Sequence, residues 1–155
     1  MNWITRERPK IDRIACPWLI LRFIDAQAQF HYVPADQVLA IAQKSGAIPY
    51  DIPGVELTHV GELCSFDAFV KKYRLEDPAL SQLAVIVRGA DTSRLDLAPQ
   101  SAGLYAISLG LSATISNDHE MLRHGLVMYD ALHAWCKSLQ NETHGWPPGG
   151  YSLAS

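Results

Sequence analysis

Apolar side chains recur with helical spacing at Ile11, Ile14, Ala15, Trp18, Leu19 and Phe23, which predicts the first helix of the chain. Pro17 lacks an amide hydrogen, so it is expected to kink this segment or to confine regular helix to the part after it. Residues 2–6 and 30–33 read as short strands on either side. A second, shorter helix is expected from Pro34 and Asp36 to about Lys44, stopped by Gly46. Residues 47–63, with Pro49, Pro53, Gly54 and Gly61, read as loop with short extended pieces. Ser65 is the expected N-cap of a helix that places Phe66, Phe69, Val70 and Tyr73 on one face. Asp77 and Pro78 start another, with Leu80, Leu83, Ala84 and Val87 as its stripe and Gly89 as its expected stop. A further helix is expected from near Pro99 to about Leu111. The last one opens on the capping-box pair Asn117 and Glu120 and carries Leu122, Leu126, Tyr129, His133 and Cys136 on one face. The expected fold is α+β and predominantly helical, a single compact domain over residues 1–143 with a small minor sheet. Residues 144–155 are expected to form an irregular tail.

Composition narrows the function classes. The chain has 155 residues, 48% hydrophobic and 19% charged, which suits one folded domain and excludes disorder. A net charge of −3 lacks the clustered basic face that nucleic-acid binding needs. Cys16, Cys64 and Cys136 are three, an odd number, which argues against a secreted disulfide framework. The first ten residues carry charges where a signal peptide would be apolar, and the longest uncharged run, residues 97–117, is too polar to span a bilayer. The chain is therefore expected to be cytoplasmic, without a membrane partner.

The densest polar stretch runs from His59 through Glu62 and Cys64 to Asp67. Imidazole, carboxylate and thiolate are all ligands of first-row metals. His59 and Glu62 can meet one ion only if the loop turns at Gly61, and Asp67 in a first helical turn is favoured by the helix dipole alone. Asp91, beyond a helix that ends near Arg88, sits where the dipole disfavours a carboxylate, so it is expected to have a partner, either Arg94 or a bound cation. An Asp-Thr-Ser turn is the plainer reading. Arg6, Arg8, Lys10 and Arg13 can hold a small oxyanion or form a solvated face, and Asp12 can equally be an N-cap. Cys16 and Cys136 read as core residues, Cys64 as the redox or ligand candidate. Asp118 and His119, at a helix start, are kept as neighbours of the same loops.

Five segments then carry a resemblance. Residues 8–20 with Arg22 to Asp25, residues 59–67, 86–91, 99–103 and 129–132 are similar, in order, to the family of ChrB C-terminal domains. The resemblance implies a bacterial chromate-resistance role, in organisms that pair such proteins with a chromate efflux transporter. Full-length members are regulators whose preceding half is taken to bind DNA. This chain starts at Met1, so it is expected to be a stand-alone version lacking that half, with nucleic acid not a partner of this chain alone. The matching polar positions are Asp12, Arg13, His59, Cys64, Asp67 and Asp91, while Arg88 and Gly89 stand where relatives carry His and Asp. The implied metal ligands are His59, Asp67 and Asp91, for Fe, Mn or Zn. Lys10 and Arg13 would hold an oxyanion such as chromate, and Cys64 is the candidate catalytic thiol. The expectation is a metal-binding domain that senses or detoxifies chromate or a related small oxyanion. The alternatives are a regulatory interaction module without catalysis, acting as a homo-oligomer or on a separate partner, and a metal-dependent enzyme with another substrate.

Overall fold

The computed structural model describes residues 1–145. Strand β1 (Asn2–Arg6) is the centre of a three-stranded parallel sheet, between β2 (Gln29–Val33) and β3 (Ile48–Pro49). Its run Trp3-Ile4-Thr5 is buried without interruption, as befits a central parallel strand covered on both faces. Trp3 enters the main core, whereas Ile4 enters a smaller one with Val38, Ala42, Ala47 and Ile52. The smaller core lies under α2 (Val38–Ser45), which ends at Gly46 in the left-handed region, at φ 76°.

Five further helices build the main core: α1 (Asp12–Leu19), α3 (Ser65–Lys72), α4 (Pro78–Asp91), α5 (Ser101–Thr114) and α6 (Asp118–Ala134). Local capping chemistry sets several starts. The Asp77 carboxylate accepts the Ala79 amide at 2.8 Å with Pro78 in the first turn, and the Asn117 side chain accepts the Glu120 amide at 2.9 Å. The predominantly helical α+β architecture is the expected one. Among the described residues, no helix is long and apolar enough to cross a membrane.

Four local expectations are corrected. Pro17 lies inside α1, so it does not confine the regular helix to the part after it, and the chain widens beyond it into a π-turn over Ile20–Ile24, where the Asp25 amide donates to the Ile20 carbonyl at 2.7 Å. The Arg13 carbonyl that a residue-17 amide would have met instead faces the Tyr32 hydroxyl, 3.5 Å away. Cys64, not Ser65, is the N-cap of α3. Gly89 does not stop α4, because its role is clearance: a Cβ there would lie 2.3 Å from Ser101 Oγ, in the close α4–α5 contact. The fifth helix starts at Ser101, two residues later than Pro99, and runs on to Thr114. The expected tail lies outside the described residues from 146 onward.

Gly125 brings α6 against α1, since a Cβ there would sit 2.3 Å from Ile14 Cγ2. Gly125→Ala is expected to destabilise the chain by about 1–3 kcal/mol through overpacking, read as a melting temperature lowered by several degrees. An unchanged melting temperature would show that the two helices do not need this clearance.

Candidate functional site

Two departures from ordinary backbone geometry prepare the site. Ile11, immediately before α1, has φ 43° and ψ −98°, and its carbonyl accepts the Tyr129 hydroxyl at 3.2 Å. Asp51, two residues beyond β3, has φ 50°. Non-glycine residues hold such conformations only where the surroundings impose them. Here both conformations bring an aspartate to one place.

The Asp12 carboxylate opens α1 and at the same time caps α3. Its Oδ2 accepts the Ser65 amide at 2.6 Å and its Oδ1 the Phe66 amide at 3.1 Å, which satisfies the first two free N–H groups of that helix. The Cys16 thiol approaches Oδ1 at 3.6 Å. Asp51 accepts the Ser65 hydroxyl at 2.8 Å and faces Arg6 at 3.1 Å and Arg13 at 3.4 Å. Asp91 ends α4 and accepts the Asp12 amide at 3.4 Å. His59 Nε2 sits among all three carboxylates, 2.9 Å from Asp91, 3.4 Å from Asp51 and 3.6 Å from Asp12.

The charges are tightly interdependent. Burial, with the like charges of Asp91 and Asp51 adding, pushes the Asp12 carboxyl well above its ordinary range. Burial and Asp51 push Asp91 up as well. Burial also acts upward on Asp51, but hydrogen bonds from His59 and Ser65 and the charges of Arg6 and Arg13 outweigh it and hold the group low. His59 rises to about 9, chiefly through its hydrogen bond to Asp51, with Asp12 and Asp91 adding to it against partial burial. Ligand atoms of Asp12, His59 and Asp91 all lie within 4.8 Å of one another, so these three residues can hold one cation.

This grouping keeps His59 and Asp91 from the expected ligand set and replaces Asp67 by Asp12. Asp67 faces away, accepting the Cys64 amide at 3.0 Å and a two-pronged Arg88 guanidinium at 2.7 and 2.9 Å. Its position in the first turn of α3, which the helix dipole favours, governs it. Cys64 is fully buried, and burial with Asp12 and Asp67 nearby drives its thiol pKa far up, so it is no thiolate nucleophile at neutral pH. Arg13 is committed to the Arg6 and Glu7 carbonyls, at 3.2 and 2.9 Å, and to Asp51, which leaves it poorly placed to receive an oxyanion. Lys10 is exposed and outside the cluster. The loop does turn at Gly61, φ 60°, but Glu62 is at the exposed tip of that turn. Asp118 engages Arg8, and His119 packs on the ring of Tyr32. Arg94 pairs with Asp96, so the partner required by Asp91 is His59. Asp51 escaped sequence reasoning, and its one signal is a lone carboxylate between Pro49 and Pro53.

The family described as ChrB, C-terminal domain, matches residues 3–136. Protein ChrB of Cupriavidus metallidurans is 30% identical over 133 residues, or 85% of this chain and 40% of that protein. The chain thus spans about two fifths of that relative's length. No solved structure matches.

The raised pKa of His59 makes stability depend on pH. The fold favours the imidazolium, so its contribution is complete below about 6.5 and is lost as pH rises through about 9. Asp12 and Asp91 act in the same direction, because the folded chain also holds their protons more tightly than the unfolded chain does. In chelator, the urea midpoint is expected to fall between pH 6.5 and 9, and His59→Gln should flatten the fall. The step is modest, since the imidazole is 40% exposed and solvent screens it. A wild-type midpoint that stays level across this range would contradict the assigned charge state.

Proposed function

The chain belongs to the family of ChrB C-terminal domains, and from that premise we propose that it is a cation-binding domain of chromate resistance. Its centre is Asp12, His59 and Asp91, and its task is to sense or detoxify chromate or a related small oxyanion. The observation that carries the reading is the convergence of three ligand atoms within 4.8 Å, with His59 open to solvent.

The donor chemistry fits such an ion. Two carboxylates and an imidazole suit Fe, Mn or Zn, and the buried, protonated Cys64 contributes no soft thiolate. Three carboxylates meet here in a largely buried setting, and the His59 proton now supplies the cationic charge next to all of them. Cation and proton therefore compete for Nε2, and metal uptake releases that proton. When bound, the ion supplies Lewis acidity and a net positive charge.

The chain's own residues do the positioning. The Ser65 and Phe66 amides fix Asp12, the Asp12 amide fixes Asp91, and Asp51 adds negative charge while anchored by Ser65, Arg6 and Arg13. For an oxyanion the sign of the site decides the order of binding. Asp12, Asp51 and Asp91 repel chromate, and Arg13, bound to carbonyls and to Asp51, does not reverse that. The cation comes first and the oxyanion second.

Chelator-stripped protein titrated calorimetrically with Zn, Mn and ferrous iron is expected to take about one ion per chain. His59→Ala should weaken that binding at least tenfold while leaving the far-ultraviolet spectrum unchanged. Chromate should give binding heat with the loaded protein alone. Failure of all three ions to bind, or equal binding by His59→Ala, would overturn the reading. Chromate binding to the stripped chain would overturn the order.

A further inference from the structure

The hairpin that carries His59 has a second face. Val60 and Leu63 exchange backbone hydrogen bonds of 3.1 and 3.0 Å around Gly61 and Glu62, and the two side chains are 65% and 41% exposed. Beside them lies a half-open groove of about 700 Å³ against α3, with an apolar wall from Leu57, Val60, Leu63 and Val70. Its polar lining is mainly cationic. Of the four cations, Arg88 is paired with Asp67 and Lys72 with Glu56, while Lys71 and Arg74 have no ion pair among the described residues. A groove with two free cations, on a chain whose net charge is −3, selects for negative charge. The exposed Val60 and Leu63 at its rim extend the apolar surface beyond what a small anion would cover.

We infer that this groove docks an acidic segment of a partner protein, its apolar side chains on Val60 and Leu63 and its carboxylates on Lys71 and Arg74. The hairpin links this groove to the cluster at both ends. His59 precedes Val60 and lies among Asp12, Asp51 and Asp91; Cys64 follows Leu63 and leads into the Ser65 and Phe66 amides, which are held by Asp12. A cation on His59 fixes the hairpin and pre-organises the groove, so docking tightens with metal occupancy. This second clause rests on the cation reading above.

The test uses three fluorescein-labelled ten-residue peptides, one alternating Glu with Leu, one Lys with Leu and one Ser with Leu, followed by anisotropy in chelator and in zinc. In chelator, the Glu/Leu peptide is expected to bind at least tenfold tighter than the other two, and Lys71→Glu with Arg74→Glu should abolish the preference. Equal binding of the Glu/Leu and Lys/Leu peptides, or an unchanged preference in the double variant, overturns the docking site. Zinc affinity of the double variant should equal that of the wild type, which shows the fold and the cluster to be intact. Zinc is expected to tighten the Glu/Leu peptide about threefold or more in the wild type and not in His59→Ala. Zinc that binds without changing peptide affinity overturns the coupling, and zinc that does not bind removes the coupling together with the cation reading but leaves the groove to the chelator result.

Discussion

Burying the Asp12 carboxylate between α1 and α3 sets the terms on which the rest of the site is built. An ionised carboxylate taken out of water costs several kcal/mol unless donors replace its hydration. Two α3 amides offset part of that cost, in a geometry where the partial positive charge of the helix N-terminus also favours an anion, while burial and the neighbouring aspartates still hold the carboxyl pKa well above its ordinary range. To use them, the first turn of α1 must abut the first turn of α3, and the chain entering α1 must turn abruptly. Ile11 takes that turn in a disfavoured conformation, and the Tyr129 hydroxyl from α6 holds its carbonyl. The carboxylate thus ties α1 to α3, the Ile11 carbonyl ties the same turn to α6, and the remaining members of the cluster are arranged around it.

The topology explains why the cluster forms where it does. In a parallel sheet, the chain leaves every strand at the same edge, and side chains from successive connections meet there. Arg6 ends β1, Asp12 follows it, and Asp51 follows β3. Glu7 donates its amide to the Val33 carbonyl at the end of β2, which closes this edge at 2.8 Å. His59 and Asp91 then arrive from outside the sheet, one on the hairpin and one at the end of α4. Arg6 and Asp51, 45 positions apart, become neighbours because three short strands share a direction.

What was legible in the sequence is what local chemistry decides. Asp77 with Pro78 and Asn117 with Glu120 announce helix starts because the donors that they satisfy lie two or three residues away. Pro17 and Gly89 misled for the opposite reason, since their meaning comes from packing: the proline sits in a helix whose freed carbonyl faces Tyr32, and the glycine makes room for Ser101. Asp67 looked like a partner of His59 through proximity along the chain, but it faces Arg88 on α4. Asp51 had only its place between Pro49 and Pro53 to mark it. A carboxylate becomes a cluster member through the strained backbone that aims it and the arginines that anchor it, and neither is visible before the sheet forms.

Cys64 stands at the division between two electrostatic regimes. On one side Asp12, Asp51 and Asp91 surround a single imidazole; on the other Asp67 is neutralised by Arg88, and Lys71 and Arg74 leave an excess of positive charge. Regimes of opposite sign this close would be levelled by water and mobile ions if the wall between them were wet. The side chains between them are buried: Cys64 and Phe66 fully, and Leu57 to 2% exposure. Burial, with the carboxylates of Asp12 and Asp67 adding to it, drives the Cys64 thiol pKa far up and favours the protonated form.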